Sequence, residues 1–269
     1  LLSSMIKLKS PQDIEGLKVC GALSKEALRL TGEMVRPGIS TWELDKFCED
    51  FIRMHGGVPG FKGYGGFPGT ICASINDEVV HGIPSRDRIL CEGDIISIDT
   101  GATVNGWVGD NAWTFAVGHI SDDRKVLLEV TRDCLALAIE QAVPGNHLGD
   151  IGYAVQSHAQ KHGYGVIREY VGHGIGRKMH EEPNVPNYGH RGFGIKLEVG
   201  MVLAIEPMIT MGRRHVHTLG NDWTVVTNDG SMAAHFENTV AITKDGPVIT
   251  TAEEGFDPLD VDCGRNASC

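Results

Sequence analysis

Two aspartates, Asp99 and Asp110, lie on either side of Asn105-Gly106 in a segment that alternates apolar and polar residues. This dipeptide between alternating residues predicts a two-residue β-hairpin turn. The residue numbers of each pair that faces across such a hairpin then add up to 211. Asp99 therefore opposes Ala112, and Asp110 opposes Gly101. The two carboxylates therefore share one face of the hairpin, with side-chain roots roughly 7 Å apart. Carboxylates so placed can bind a pair of metal ions about 3.5–4 Å apart.

The alternative interpretation is that both aspartates are solvent-facing residues of a sheet. Their surroundings weaken it, because Ser97 and Ala112 share the same face while Ile96 and Ile98 belong to an otherwise apolar strand. Two buried carboxylates would need a cation, since like charges in one site cannot otherwise both stay ionised. A metal pair would resolve that conflict.

Three further candidate ligands come from the second half of the chain. His173 lies among glycines, Glu206 follows the apolar strand Met201–Ile205, and Glu237 belongs to a short alternating strand. Taken singly, each is more often a hydrogen-bonded polar residue than a ligand. Together with the two aspartates they provide four carboxylates and one imidazole, a set suited to Mn, Fe, Co or Zn and unlike a closed structural zinc site.

Four helices and a set of strands are needed to position these residues. Helix 1 is predicted from Ser10-Pro11 toward Pro37-Gly38, and helix 2 from the capping box at Ser40. Helix 3 is predicted from Ser121, and helix 4 from about Asp150 to His162.

A shift of 107 residues relates several landmarks of the two halves: Pro37-Gly38 with Pro144-Gly145, His55-Gly56 with His162-Gly163, and Gly93 with Gly200. The same shift places Asp99 onto Glu206, each at the end of a Gly-x-apolar-x-x-Ile-acid pattern. Chance agreement among common glycines and prolines is the alternative. The coinciding acids favour two similar α/β halves, each of which delivers one carboxylate.

Composition limits the partners and the compartment. The balance of 24 basic against 35 acidic residues gives a net charge of −11, which opposes binding to free nucleic acid or anionic membranes. Seven widely spaced cysteines without a Cys-x-x-Cys pair argue against a disulfide framework or a cysteine zinc site. No apolar run approaches the roughly 20 residues needed to span a bilayer. We therefore expect a soluble, cytoplasmic protein.

Nothing divides the chain into separate domains. Without a Pro/Ser-rich linker or a charge block, one catalytic domain is expected over residues 5–252, with internal halves of about 5–118 and 119–252. Met5 has the form of a natural start, and residues 1–4 are interpreted as an addition in front of it. The polar tail, residues 253–269, is assigned no role.

Six motifs occur in order along the chain: His81-Gly82-Ile83-Pro84, Asp99 with Asp110, Gly172-His173-Gly174-Ile175-Gly176, His180-Glu181-Glu182-Pro183, Ile205-Glu206-Pro207-Met208 and Glu237-Asn238-Thr239. The series resembles that of the type I methionine aminopeptidases of metallopeptidase family M24, over nearly all of Met5 to about Thr251. The resemblance implies an α/β (α+β) pita-bread fold, with two pseudo-symmetric halves and a curved antiparallel sheet covered by helices on its outer face. It also implies removal of the N-terminal methionine from nascent proteins and peptides, preferably before a small second residue.

The resemblance further implies that five residues bind two divalent metal ions (Mn, Fe, Co or Zn): Asp99, Asp110, His173, Glu206 and Glu237. Asp110 and Glu237 would bridge the ions, and a metal-held water of lowered pKa would attack the scissile carbonyl. Glu206 would relay the proton from this water to the leaving amine. His180 would steady the tetrahedral intermediate, and His81 would contact the peptide beside the scissile bond.

Selection of methionine requires a small apolar pocket with polarizable walls. The resemblance assigns this pocket, beside His81 and His180, to Tyr64, Phe67, Cys72, Met179 and Trp223, with Phe61 nearby. Many bacterial relatives have Tyr where Phe67 stands, Phe where Met179 stands and a smaller residue than Phe61. The expected metal chemistry survives these departures, and the shape of the pocket is the property that they alter.

Other interpretations stay open from the sequence. An Xaa-Pro aminopeptidase or prolidase would use a similar metal set but usually carries an additional N-terminal domain, whereas only about 90 residues precede Asp99. A non-catalytic binding protein of the same fold would have lost its metals, whereas all five ligand positions hold competent residues. A type II enzyme would need a helical insertion for which the 30 residues between Glu206 and Glu237 leave no room. Transient contact with the ribosome and a monomeric state are expected from the family alone.

Overall fold

The structure, a computed structural model, describes residues 6–252. The predicted start at Met5, residues 1–4 and the tail 253–269 lie outside the described residues. The four predicted helices are all present: α1 (Pro11–Glu33), α2 (Thr41–Met54), α3 (Asp122–Glu140) and α4 (Leu148–Lys161). In this part of the chain no helix combines the length and the apolar character needed to cross a membrane.

The predicted cap residues begin the first two helices. The hydroxyl oxygens of Ser10 and Ser40 accept hydrogen bonds from the backbone N–H groups of Asp13 and Glu43, and each acidic side chain accepts one in return from its cap residue. These reciprocal bonds satisfy N–H groups that the first helical turn leaves unpaired.

Fifteen strands occur in the described residues: β1 (Val58–Pro59), β2 (Ile71–Ile75), β3 (Glu78–Val80), β4 (Ile95–Val104), β5 (Trp107–Ala116), β6 (Gly165–Val166), β7 (Gly172–Gly174), β8 (Glu181–Val185), β9 (Val202–Ile205), β10 (Met208–Thr210), β11 (Val216–Thr218), β12 (Val225–Thr227), β13 (Ala233–His235), β14 (Asn238–Thr243) and β15 (Gly246–Ile249). All their ladders are antiparallel. In the first half, β1 and β2 lie along one edge of β4 and β5 lies along the other. In the second half the order is β15-β14-β9-β7-β8.

The predicted hairpin is confirmed residue by residue. Asp99 opposes Ala112 and Gly101 opposes Asp110 across β4 and β5. The turn residues Asn105 and Gly106 both have positive φ, at 51° and 76°, as a type I′ turn requires.

The shift of 107 residues recurs in the elements themselves. Both ends of α2 and α4 differ by this number, α1 and α3 end at residues 33 and 140, and β1 and β6 start at residues 58 and 165. The isolated bridges Ser40–Ile89 and His147–Lys196 are related by the same shift. The three glycine pairs predicted from the sequence also share left-handed backbone: Gly38 and Gly145 (89° and 95°), Gly56 and Gly163 (79° and 76°), Gly93 and Gly200 (90° and 96°). Chance agreement among glycines does not explain matching elements, and the pseudo-symmetric halves are confirmed.

The two halves meet along β5 and the segment that joins β13 to β14. The backbone N–H of Glu237 donates to the carbonyl of Ala112 at 2.9 Å, and the N–H of Ala112 donates to that of Glu237 at 3.3 Å. On the core side of this junction the rings of Trp113 and Phe236 pack edge to face with centroids 4.7 Å apart. The junction therefore fixes Glu237 against the strand that carries Asp110.

Close packing of α1 on β5 and on the residues after β15 depends on two glycines. A Cβ added at Gly21 would lie 2.1 Å from the backbone oxygen of Thr250, and one at Gly109 would lie 2.8 Å from the Cα of Gly21. These contacts involve backbone atoms, which cannot move aside without shifting the helix. Only glycine fits this approach.

We expect Gly21→Ala to lower the free energy of unfolding by about 3 kcal/mol, because overpacking against the backbone exceeds the gain in helix propensity. Gly220→Ala is the matched control, since a Cβ there would meet nothing within 4 Å. Urea denaturation of both variants measures the difference. Equal stability of the two variants would contradict the packing argument.

Candidate metal centre and substrate pocket

A cavity of about 230 Å³, here called the cleft, is lined by residues of both halves. Its lining comprises Phe61, Tyr64, Phe67, Cys72, Val80, His81, Asp99, Asp110, Tyr170, Val171, His173, His180, Glu206, Met208, Trp223 and Glu237. Every site residue predicted from the sequence except Met179 is in this set. Residues separated by more than 150 positions in the chain are thus brought to one place.

The first half supplies Asp99 and Asp110 from the centre of its hairpin. Asp99 lies on β4 between Ala112 of β5 and Cys72 of β2, its register partners on either side. Asp110 is 4% exposed, and its backbone N–H donates to the hydroxyl of Thr239 at 3.2 Å. Both carboxylates are therefore held on regular strands rather than on loops.

The second half supplies the other three predicted ligands. His173 lies on β7 and pairs with Ala204 of β9. Glu206 directly follows β9, where Pro207 cannot continue the ladder because it has no N–H group. Glu237, 1% exposed, lies between β13 and β14 at the junction with β5.

The imidazole of His173 faces the carboxylates with one nitrogen. Its Nε2 lies 3.7 Å from Asp110 Oδ2 and 3.5 Å from Glu206 Oε1. Its Nδ1 is 2.9 Å from the carbonyl oxygen of Gly174, which can only accept, so Nδ1 carries the proton and Nε2 keeps its lone pair. Burial lowers the pKa of His173 to about 4, so the ring is neutral near pH 7. This is the form of histidine that binds metals.

Four carboxyl groups lie close together in the cleft, those of Asp99, Asp110, Glu206 and Glu237. Burial, reinforced by the neighbouring carboxylates, raises the pKa values of Asp99, Glu206 and Glu237 well above their usual range. Burial raises the pKa of Asp110 to about 7. Without a cation, the ionised forms repel one another in a desolvated place.

Several buried polar atoms in the cleft have no hydrogen-bond partner in the described residues, among them Asp99 Oδ1, Asp110 Oδ1 and Glu237 Oε1. Buried oxygens without donors are rare and costly in folded proteins. Divalent metal ions would satisfy all three and neutralise their charge. The donor set therefore fits a metal centre rich in oxygen ligands.

His235 is a member of this group that sequence reasoning did not select. It is 1% exposed, and its Nε2 lies 3.5 Å from Glu206 Oε2 and 3.8 Å from Glu237 Oε2. Burial lowers its pKa to about 3. The available signal was its position two residues before Glu237 in a strand, which places both side chains on one face.

His180 and His81 line the cleft beside the carboxylates. The His180 Nδ1 lies 2.9 Å from the hydroxyl of Tyr64, and its ring is 4.1 Å from that of His173. His81 has a positive φ of 60° and lies edge-on to Tyr170 at 5.5 Å. Burial lowers the pKa of both histidines, that of His81 to about 4.

Aromatic side chains form the apolar part of the cleft. Phe67 and Trp223 pack edge to face at 5.2 Å, and burial raises the pKa of the neighbouring Cys72 thiol, which stays protonated. Met179 is buried and is not among the lining residues; its methyl group would be 2.7 Å and 2.8 Å from a Cβ at Gly60 and Gly101. Lining residues that the sequence did not single out are Val80, Tyr170, Val171 and Met208.

A buried ion pair fixes the segment that carries His180. Lys9 Nζ lies 2.7 Å from Glu181 Oε2, and their side chains are 5% and 7% exposed. The other oxygen of Glu181 accepts from the backbone N–H of Lys178 at 3.1 Å. The N-terminal segment is thereby tied to one wall of the cleft.

Lys9→Met is expected to destabilise the fold by about 3 kcal/mol, because it leaves the Glu181 carboxylate buried and unpaired. Lys18→Met, which removes the exposed Lys18–Glu15 pair, should cost less than about 1 kcal/mol. Thermal unfolding of both variants compares them. If Lys9→Met loses no more stability than Lys18→Met, the Lys9–Glu181 pair does not stabilise the fold. Adding Glu181→Leu to Lys9→Met should restore stability.

Comparison with known proteins agrees with this arrangement. Residues 15–244 match the model of metallopeptidase family M24. The chain is 53% identical to the methionine aminopeptidase of Clostridium acetobutylicum over 247 residues, 92% of this chain and 99% of that one. It is 50% identical to methionine aminopeptidase 1 of Bacillus subtilis over 250 residues, 92% of this chain and 99% of that one.

Among solved structures, the methionine aminopeptidase of Thermotoga maritima superimposes with a TM-score of 0.91 at 43% identity, covering 93% of this chain and 100% of that one. The pita-bread fold is thereby confirmed. The fold and the carboxylate cleft define a metal-dependent peptide hydrolase. The chain belongs to metallopeptidase family M24, in its methionine aminopeptidase branch.

Proposed function

We propose that the protein removes the N-terminal methionine from nascent proteins and peptides, preferably when the second residue is small. The observation that carries the proposal is the cleft itself, in which a cluster of unpaired carboxylate oxygens adjoins an aromatic, apolar wall. The matches to methionine aminopeptidases point to the same substrate rather than to Xaa-Pro peptides.

Five residues would hold two divalent metal ions (Mn, Fe, Co or Zn): Asp99, Asp110, His173, Glu206 and Glu237. Two overlapping groups of ligand atoms support a pair of sites, since Asp110 and His173 form one group with Glu237 while Glu206 and His235 form another with it. Glu237 belongs to both, as expected of a bridging ligand, and Asp110 is proposed as the second bridge. When bound, the ions would lower the pKa of a water and polarise the peptide carbonyl.

The proton from that water has one well-placed carrier. Glu206 reaches the cleft from the end of β9, with its side chain 12% exposed and both oxygens close to imidazole nitrogens. It is proposed to accept the proton and pass it to the leaving amine. His180 would donate a hydrogen bond to the oxygen that gains charge, and His81 would contact the peptide next to the scissile bond.

The methionine side chain would occupy the apolar part of the cleft. Five of the predicted pocket residues line it: Phe61, Tyr64, Phe67, Cys72 and Trp223. Their aromatic and sulfur surfaces suit a polarizable thioether, which accepts only weak hydrogen bonds. Met179, which packs against Gly60 and Gly101, is proposed as a further residue of this pocket.

The proposal also covers the setting of the reaction. A single catalytic domain over residues 5–252 would act as a cytoplasmic monomer on chains that emerge from the ribosome, in transient contact with it. The net charge of −11 supports a peptide rather than free nucleic acid as ligand.

A pair of peptides tests the substrate. Chelator-stripped protein is assayed on Met-Gly-x and Gly-Pro-x before and after Mn, Fe or Co is added. Metal-restored release of methionine alone is expected. Release of glycine from Gly-Pro-x would transfer the protein to the Xaa-Pro class, and failure to cleave either peptide with every metal would favour a binding protein without catalysis.

A further inference from the structure

His235 is a buried polar residue to which the proposed reaction assigns no role of its own. Its Nε2 has no hydrogen-bond partner in the described part of the chain. An imidazole nitrogen shielded from water and left unpaired destabilises the folded state. Such a residue in a cleft of carboxylates calls for a role.

The backbone fixes where this imidazole points. The N–H of His235 donates to the hydroxyl of Thr114 at 2.9 Å, and that hydroxyl donates to the carbonyl of His235 at 2.9 Å. His235 and Glu237 are two residues apart in extended chain, so both side chains point to one side, where the His235 ring meets Glu206, while Phe236 between them packs on Trp113. His235 is therefore held as firmly as Glu237.

The distances match those of His173. Nε2 of His235 lies 3.5 Å and 3.8 Å from oxygens of Glu206 and Glu237, and Nε2 of His173 lies 3.5 Å and 3.7 Å from oxygens of Glu206 and Asp110. These separations exceed the roughly 2.7–3.2 Å of an N–H···O hydrogen bond. Two ligand atoms that each lie about 2.1 Å from one ion are roughly 3–4 Å apart. The observed separations fall in this range.

We propose that His235 is a sixth metal ligand, which binds one ion of the pair together with Glu206 and Glu237. The inference rests on the proposed metal-dependent function and adds an imidazole to its ligand set. His173 and His235 would then be the two imidazole ligands of the ion pair. The two carboxylate oxygens of Glu206 are each flanked by one of these rings.

A second imidazole alters the preference among metals. Nitrogen ligands favour Co, Fe and Zn, whereas an all-oxygen set favours Mn. His235→Gln should therefore weaken the binding of Co²⁺ to the site that contains His235 at least tenfold. It should weaken the binding of Mn²⁺ to the same site less. Glutamine keeps an N–H donor, so a hydrogen bond from this position to Glu206 would survive the change.

The experiment counts imidazoles on cobalt. Stripped wild-type protein is loaded with two Co²⁺ per chain, and X-ray absorption at the cobalt edge measures the histidine scattering per ion. One imidazole per cobalt is expected in the wild type, and half of one in His235→Gln. His190→Gln, an exposed histidine outside the cleft, is the control and should match the wild type. The wild-type count is informative even where a variant fails to fold.

Half an imidazole per cobalt in the wild type would overturn the proposal. So would a His235→Gln variant with weaker Co²⁺ binding but an unchanged imidazole count, because His235 would then only position Glu206. Methionine release from Met-Gly-x by the same wild-type sample separates the two claims. If the sample releases methionine but has half an imidazole per cobalt, His235 is not a metal ligand and the proposed function is kept. If the protein holds two Co²⁺ per chain and releases no methionine, the proposed function is wrong.

Discussion

Asp110→Asn is expected to lower kcat/KM for methionine release about a thousandfold at saturating metal. Asp110 lies between the two halves, 3.7 Å from the ring of His173, and is a proposed bridge between the ions. An amide carries no charge and binds divalent ions weakly, so the metal-held nucleophile would be lost. A thousandfold loss corresponds to about 4 kcal/mol of transition-state stabilisation. Initial rates on Met-Gly-x with Mn or Co measure it.

Asp87→Asn removes the same charge at an exposed position and is the matched control. Its kcat/KM should remain within about twofold of the wild type. Retention of more than a tenth of wild-type activity by Asp110→Asn would show that Asp110 does not bridge the metals. Circular dichroism of both variants checks that the fold is kept.

The metal-free protein is expected to lose stability as the pH rises from about 4 to about 7. The pKa of Asp110 is raised to about 7 in the folded state from an ordinary value of 3.8, so the unfolded chain ionises first and each unit of pH in this window favours unfolding. This shift in the pKa of Asp110 corresponds to a loss of about 4 kcal/mol in the free energy of unfolding. Mn²⁺ replaces the protons and removes this loss, so its stabilising effect should be greater at pH 7.5 than at pH 5.

Unfolding free energies of the metal-free wild type and of metal-free Asp110→Asn measure what the Asp110 charge contributes, both directly and through the raised pKa values of Asp99, Glu206 and Glu237. The wild type should lose stability relative to the variant between pH 5 and pH 7.5. A constant difference between them would show that the Asp110 carboxyl group is not held in its neutral form.

Local patterns predicted the first half of the site well. Asn105-Gly106 fixes a two-residue turn, and a two-residue turn fixes the register of the whole hairpin, including the Gly101–Asp110 pair. The duplication then relates Asp99 to Glu206, because glycines that need left-handed backbone recur at the same interval. The starts of α1 and α2 followed from capping residues, whose hydrogen bonds are made within one turn.

Features that depend on contacts between distant segments were harder to predict from the sequence. His235 has the alternation of an ordinary strand residue, and only the junction of β13 with β5 brings its ring to the carboxylates. Met179 matches a pocket position by its motif; in the fold it packs against Gly60 and Gly101 and is not among the residues that line the cleft. Tyr170 reaches the cleft through its edge-on contact with His81, which no spacing in the sequence indicates.

Titration of the stripped protein with Co²⁺ during cleavage of Met-Gly-x shows whether the carboxylate cleft is the metal centre of the enzyme. We expect no methionine release without metal, a rise to full activity as the cleft fills, and no rise at any concentration in Asp110→Asn. Undiminished release by the fully stripped wild type, or equal activation of Asp110→Asn, would contradict a metal centre built on these carboxylates.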